Sequence, residues 1–238
     1  MLMRLLAASA TVLAVSTLAG CGDNPGGEAS DSSASSSEPA GGGEQVECDF
    51  PESGDAAKDV DAPEASGPAP GEVEATMRTS VGDIAATLDG EAAPCTVRSF
   101  VSLAEQGYFD GTECHRLTTQ GIFVLQCGDP TASGTGGPGY TVPDEYDGSE
   151  TYPAGTLAMA NTGMPDSGGS QFFVVYEDTQ LPPQYTVFGE LDAASVKAVR
   201  KVAAKGTANG MPDGPPKERV SIESVNVCVS LTWSASSL

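Results

Sequence analysis

The sequence predicts a mainly β domain, a closed antiparallel barrel of eight strands capped by two α-helices. Three observations point there. Short runs of alternating apolar and polar residues recur from about residue 72 onward, bounded by Gly, Pro, Asp and Ser. Only two stretches have helical spacing, and no internal repeat stands out. Periodicity alone does not separate such a barrel from a sandwich.

Val73 to Thr79 and Gly82 to Leu88 alternate on either side of Ser80-Val81, which is a hairpin signal. Pro94 to Gln106 places Val97, Phe100, Val101 and Ala104 on one helix face, with Pro94 at the start and Gly107 after the end. Two strands are expected at 112–118 and 121–127, followed by a Gly-rich loop from Gly128 to about Ala154. Short strands follow near 155–160, 171–176 and 186–191. Asp192 is placed to cap a helix through Lys205, with Val196, Val199, Val202 and Ala203 inward and Gly206 as the stop. Arg219 to Val229 completes the set as a strand.

Not all of the 238 residues belong to that domain. Residues 1–20 read as a targeting segment, with Arg4 as the positive region and Leu5 to Ala14 as a short apolar core. The stretch is short for a membrane span. Leu18-Ala19-Gly20-Cys21 resembles a bacterial lipoprotein signal, which implies cleavage before Cys21 and a lipid on its thiol. Residues 21–71 read as a disordered tether rich in Ser, Gly and Pro, with twelve acids against Lys58 alone. Such a segment buries too little apolar surface to offset chain entropy. The domain then spans 72–230, with a tail at 231–238. The whole chain carries a net charge of −22, and no basic surface suits nucleic acid. The cluster Lys197 to Lys205 lies on the second helix and reads as a solvated face.

Six cysteines are present. With Cys21 assigned to lipid, Cys48, Cys95, Cys114, Cys127 and Cys228 remain. Cys114 and Cys127 flank the arms of one hairpin, so a cross-strand disulfide is expected there; Cys48 with Cys95 is a further pairing. The single histidine, His115, adjoins one cysteine and no C-x-x-C pair occurs, which disfavours zinc. No metal or other cofactor is expected.

A candidate site centres on Arg116, which stands at the mouth of an apolar hairpin. A guanidinium beside apolar surface needs a polar partner. Phe123 and Phe173 offer aromatic walls, Gln126 and Gln171 offer amides, and Asn161 follows Ala160, which is small enough for a backbone to approach. His115 precedes Arg116 on the same strand, points to the other face and reads as structural. No nucleophile has a base partner, and Gly134, Gly136, Gly137 and Gly139 form no P-loop. An apolar floor with a cation and amides suits rotation of a bond better than its cleavage. Peptide rotation has a barrier of about 18–20 kcal/mol, while the X–Pro isomers differ by only about 0.5–1 kcal/mol.

The segments HRL…FVLQCGDP, GTGGPGY, DE, GTLAMANTG, GGSQFFVVY and YTVFG occur in order between about residues 73 and 228. In this they resemble the cyclophilin family of peptidyl-prolyl cis-trans isomerases. The resemblance implies a cyclophilin-like barrel with two helices. It implies that Arg116 is catalytic and oriented by Gln126. It implies a substrate site of Phe123, Val124, Ala160, Asn161, Thr162, Gln171, Phe173, Leu181 and Tyr185. The sequence departs from the family in three places. Arg116 and Gln126 are ten positions apart, two more than usual, so the turn Thr118 to Gly121 is longer. Gln180 stands where many members have tryptophan, a position that matters for cyclosporin, and Tyr185 stands where many have histidine.

The expected function is a lipid-anchored isomerase of X–Pro bonds. It would act on proline-containing segments of exported proteins at the outer face of a bacterial membrane, with monomer as the default state. The alternatives are a proline-peptide-binding module with little turnover, and an envelope scaffold for which the barrel is incidental.

Overall fold

The chain is described from a computed structural model, which covers residues 44–229. The targeting segment 1–20, Cys21, the first part of the tether and the tail 231–238 lie outside the described residues. The elements in chain order are β1 (Gln45–Glu47), β2 (Ser66–Pro68), β3 (Gly71–Thr79), β4 (Gly82–Gly90), α1 (Pro94–Glu105), β5 (Thr112–Glu113), β6 (Arg116–Thr118), β7 (Val124–Cys127), β8 (Thr156–Met159), β9 (Phe172–Val175), β10 (Val187–Leu191), α2 (Ala193–Ala203), β11 (Asp213–Gly214) and β12 (Ser221–Val229).

β3 to β12 form one curled antiparallel sheet in the order β11-β6-β7-β9-β8-β10-β4-β3-β12-β5. This corrects the expected closed barrel of eight strands: the sheet has ten strands and is open. The reason lies in the run 112–118, expected as one strand. It breaks at Cys114–His115, where its pairing changes partner. Ahead of the break the Cys114 N–H donates to the Val220 carbonyl at 2.9 Å; after it the His115 N–H donates to the Gln126 carbonyl at 3.0 Å. The run therefore supplies two strands, and the short β11, which the alternation did not reveal, adds one more.

The alternation of the remaining strands sorts side chains onto two faces. The inner face packs Leu117, Leu125, Leu157, Met159, Phe172 and Val174 into the main core. Phe100 of α1 enters this core and meets the rings of Phe109, Phe172 and Phe188 at 5.1, 5.6 and 5.5 Å. Val196, Val199 and Val202 of α2 are buried at the helical spacing read from the sequence. Asp192 caps that helix by accepting from the Ser195 N–H at 2.6 Å.

The described part of the expected tether, residues 44–71, is folded. β1 pairs antiparallel with β2, and Cys48 is joined to Cys95 of α1 by a disulfide. The Arg98 guanidinium donates to the carbonyls of Ala65, Gly67 and Pro68 at 3.0, 2.9 and 3.1 Å. The Lys58 ammonium donates to the carbonyls of Tyr108 and Asp110 at 2.8 and 2.6 Å. Apolar content is low here, as the composition says. A covalent tie and two cations gathering backbone carbonyls supply the order that side-chain burial does not.

The Cys48–Cys95 link closes a loop of 47 residues. The chain-entropy model gives such a loop about 4 kcal/mol, an upper figure for its effect on stability. Replacing both cysteines with serine is expected to lower the unfolding free energy by up to that amount. It should also open 44–68 to limited proteolysis ahead of the sheet. Equal protease resistance in both proteins would show that Arg98 and Lys58 hold the segment alone.

Candidate active site

The outer face of β6–β7–β9–β8 carries a second, smaller apolar cluster: Val124, Ala158, Phe173 and Val175, with Tyr152 above them. Register places the site residues in one lateral row. Arg116 stands opposite Gln126, Gln126 opposite Phe173, and Phe173 opposite Ala158. Residues opposite one another across a ladder share a face, so the row presents its cation, amide and ring to the same side.

Arg116, Ile122, Val124, Gln126, Ala160, Asn161, Phe173, Leu181 and Tyr185 line a cavity of about 170 Å³. For scale, an apolar cavity of about 150 Å³ accepts benzene. Phe173 forms the floor, and Tyr185 stands edge-on to it at 5.4 Å. Tyr185 is fixed through its backbone, whose N–H donates to the Tyr152 hydroxyl at 3.1 Å.

Arg116 is oriented by an unbranched chain of hydrogen bonds. Its Nη1 donates to Gln126 Oε1 at 3.3 Å. Gln126 Nε2 donates to Gln171 Oε1 at 2.9 Å, and Gln171 Nε2 donates to the Gly136 carbonyl at 3.0 Å. Only one setting of the two amides satisfies this chain, because a guanidinium only donates and a carbonyl only accepts. The far end is itself anchored. The Asp129 carboxylate accepts from the N–H groups of Thr131, Gly134 and Gly136 at 2.7, 2.7 and 3.1 Å. Burial raises the Asp129 carboxyl, but the Thr131 hydroxyl, which donates at 2.7 Å, and these backbone bonds outweigh it and hold the group below its ordinary range. A Cβ at position 136 would collide with that carboxylate, so the loop requires glycine there.

Asp213 completes the site, and sequence reasoning missed it. Its carboxylate accepts from Arg116 Nε at 2.9 Å and from Nη2 at 2.7 Å. This bidentate pair raises the arginine further above its ordinary value and lowers the aspartate below its own. The two residues lie 97 positions apart, and the only sequence signal is a turn, Pro212-Asp213-Gly214.

Other expected site residues fall differently. Phe123 points to the opposite face and packs against Tyr176 at 5.9 Å, and Ile122 lines the cavity instead. Phe123 lies three positions before Gln126, an odd step, so alternation turns it to the inner face. Thr162 and Gln171 line an adjoining groove with Gly134–Pro138 rather than the cavity itself. The Asn161 side chain is committed within the fold, donating to the Gln184 carbonyl at 2.8 Å and accepting from the Gly163 N–H at 3.0 Å. The disulfide Cys114–Cys127 is present beneath the row, and among the described residues Cys228 is free and exposed.

Residues 74–227 match the family model described as cyclophilin type peptidyl-prolyl cis-trans isomerase/CLD. A Mycobacterium leprae protein named probable peptidyl-prolyl cis-trans isomerase B is 48% identical over 198 residues, covering 76% of this chain and 67% of the relative. A Mycobacterium tuberculosis protein of the same name is 50% identical over 169 residues, covering 66% of this chain and 54% of the relative. The match to that second relative therefore spans about half of its length. Among solved structures, a Cryptosporidium parvum cyclophilin type peptidyl-prolyl cis-trans isomerase aligns with a TM-score of 0.58 at 26% identity, over 66% of this chain and 98% of that one. A second structure of that protein, in the presence of the dipeptide Ala-Pro, aligns with a TM-score of 0.57.

His115 gives a test independent of activity. Both of its ring nitrogens are buried, and among the described residues neither meets a partner at hydrogen-bond geometry, Gln171 included. Burial lowers its pKa below the ordinary value of 6.5. The unfolded chain then binds a proton that the folded chain resists, so stability is full above about pH 6.5 and declines as pH falls below it. Denaturant unfolding at pH 7 and pH 5 should show this decline in the wild-type chain. His115→Phe should remove that component, and an equal decline in the variant would place its origin in the carboxylates.

Proposed function

The chain belongs to the cyclophilin-type peptidyl-prolyl cis-trans isomerase family, and from that premise we propose that it catalyses rotation about X–Pro peptide bonds. One observation carries the proposal: a guanidinium fixed on both sides stands at the edge of a cavity sized for a small ring and walled on one side by Val124, Phe173 and Leu181. The proline ring lies on Phe173 between Val124, Leu181 and Tyr185. The peptide runs past Ala160 and Asn161. Among the described residues no backbone hydrogen bond engages the Asn161 N–H or carbonyl, so a substrate strand can pair there.

The chemistry follows from amide resonance. Planarity depends on the nitrogen lone pair being delocalised into the carbonyl. An N–H of Arg116 donated to the prolyl nitrogen favours the localised lone pair and lowers the double-bond character. That donation strengthens as the bond twists, so it stabilises the transition state more than either isomer. No proton moves and no bond breaks, so no base, nucleophile or cofactor is called for. The Ala-Pro dipeptide used with the Cryptosporidium parvum structure is in keeping with this substrate class.

The setting we propose is the outer face of a bacterial membrane, with Cys21 lipidated and exported chains as substrates. The motif Leu18-Ala19-Gly20-Cys21 supports it, as do two disulfides in the folded domain, which suit an oxidising compartment. A second reading is a proline-peptide reader with little turnover. It is favoured by Asp213, whose carboxylate already occupies two of the three guanidinium nitrogens.

Cis–trans exchange of an Ala-Pro peptide, followed by NMR with the full chain and Arg116→Ala, separates the two. The isomerase reading expects acceleration by the wild-type chain and a loss of about 100-fold or more in the variant, the scale for deleting a transition-state donor. Gln171→Leu, which cuts the amide chain two bonds away, should lower the rate about tenfold, roughly 1.4 kcal/mol. Peptide binding without acceleration would favour the reader.

A further inference from the structure

The longer turn between β6 and β7 and the loop after α2 are two parts of one device. The loop from Thr207 to Pro216 closes on itself: the Ala208 N–H donates to the Pro215 carbonyl at 2.8 Å and the Gly210 N–H to the Thr207 carbonyl at 3.2 Å. Asn209 pins its interior. Its side chain accepts from the Met211 N–H at 2.9 Å and donates to the Asp213 carbonyl at 3.2 Å. The lengthened turn docks on this loop, with the Thr119 N–H donating to the Pro212 carbonyl at 2.8 Å. β11 then pairs with β6, with Asp213 opposite Thr118. Arg116 lies two residues from Thr118 and so on the same face as Asp213, as its diagonal neighbour.

We propose that Asp213 is a positioning residue for Arg116, delivered by the Thr207–Pro216 loop and registered by the lengthened β6–β7 turn. The proposal rests on the isomerase reading of this site. A guanidinium has five N–H groups. Asp213 takes one on Nε and one on Nη2, and Gln126 takes one on Nη1. Two remain, one on each terminal nitrogen, and these are the donors left for a substrate amide. Gln126 alone fixes one point of the guanidinium. With Asp213 the plane is held at three nitrogens and cannot swing away from the cavity. The pair is 39% and 54% exposed, so its effect on stability is small. Its role is in orientation, which a rate reads and a melting curve does not.

The test compares the full chain with Asp213→Asn, Asp213→Ala and Asp213→Glu, measuring kcat and KM for an Ala-Pro peptide. The Arg116 Nε–H NMR signal, whose exchange with water is slowed by the carboxylate, is recorded alongside. The expected result is a fall in kcat of about tenfold in Asp213→Asn and Asp213→Ala, with KM within about twofold, partial recovery in Asp213→Glu, and loss of Nε–H protection wherever the rate falls. Should Asp213→Ala fail to fold, the near-isosteric Asp213→Asn carries the comparison. A variant as fast as the wild type, or faster, overturns the proposal. If the wild-type chain itself does not accelerate exchange, the isomerase reading falls separately. The Nε–H signal then decides: protection unchanged in Asp213→Asn overturns the positioning role, and its loss upholds it.

Discussion

The site depends on one constraint, that a guanidinium beside the apolar wall of Val124, Phe173 and Leu181 must be told which way to point. The answer is given by a chain of donors and acceptors with fixed polarity. The Gly136 carbonyl can only accept and Arg116 can only donate, so Gln171 and Gln126 between them have a single consistent orientation. The chain ends on backbone that is itself ordered by the Asp129 carboxylate. Disorder in the Gly-rich loop would reach the arginine through two amides, and this is why a loop some distance from the cavity belongs to the site.

The sheet makes the arrangement possible by dividing its labour between faces. Leu125, Phe172 and Val174 fill the interior, while Gln126, Phe173 and Val175 follow them one position on and face outward. Rigid packing beneath thus holds the row above. Cys114 and Cys127 add a covalent tie under that row, next to the point where the run 112–118 changes partners. Arg116 follows Cys114 by two residues, so the tie holds the base of its strand.

Much of this was legible in the sequence, and what was not has a common physical character. Period-two alternation located β3, β4 and β12 to within two residues, and the 3.6 period located both helices. These are local signals. The partition of 112–118 into β5 and β6 depends on which strand each half meets, and alternation carries no such information. The folding of 44–71 depends on Arg98 and Lys58 reaching backbone carbonyls, and on Cys95, while composition registers only the scarcity of aliphatic side chains. The family pattern assigns Phe123 to the pocket. The odd spacing of Phe123 from Gln126 turns it inward onto Tyr176, and Ile122 lines the cavity instead. Asp213, 97 residues from its partner, is a contact of the tertiary fold with no local signature beyond a turn.

Charge explains why an acid beside the working cation suits this chemistry. A lone guanidinium in a partly dry pocket attracts anions, including every free carboxylate terminus. A peptide bond has no net charge, so attraction to charge does nothing to select it. With Asp213 in bidentate contact the field of Arg116 is largely cancelled at a distance, in a chain of net charge −22. What remains is short-range and directional: the two Arg116 N–H groups that neither Asp213 nor Gln126 takes. Hydrogen bonding falls off steeply with angle and distance, so such a site responds to the geometry of an amide nitrogen as it leaves planarity. Neutralising the arginine therefore exchanges affinity for charged ligands, which the reaction does not use, for orientation, which it does.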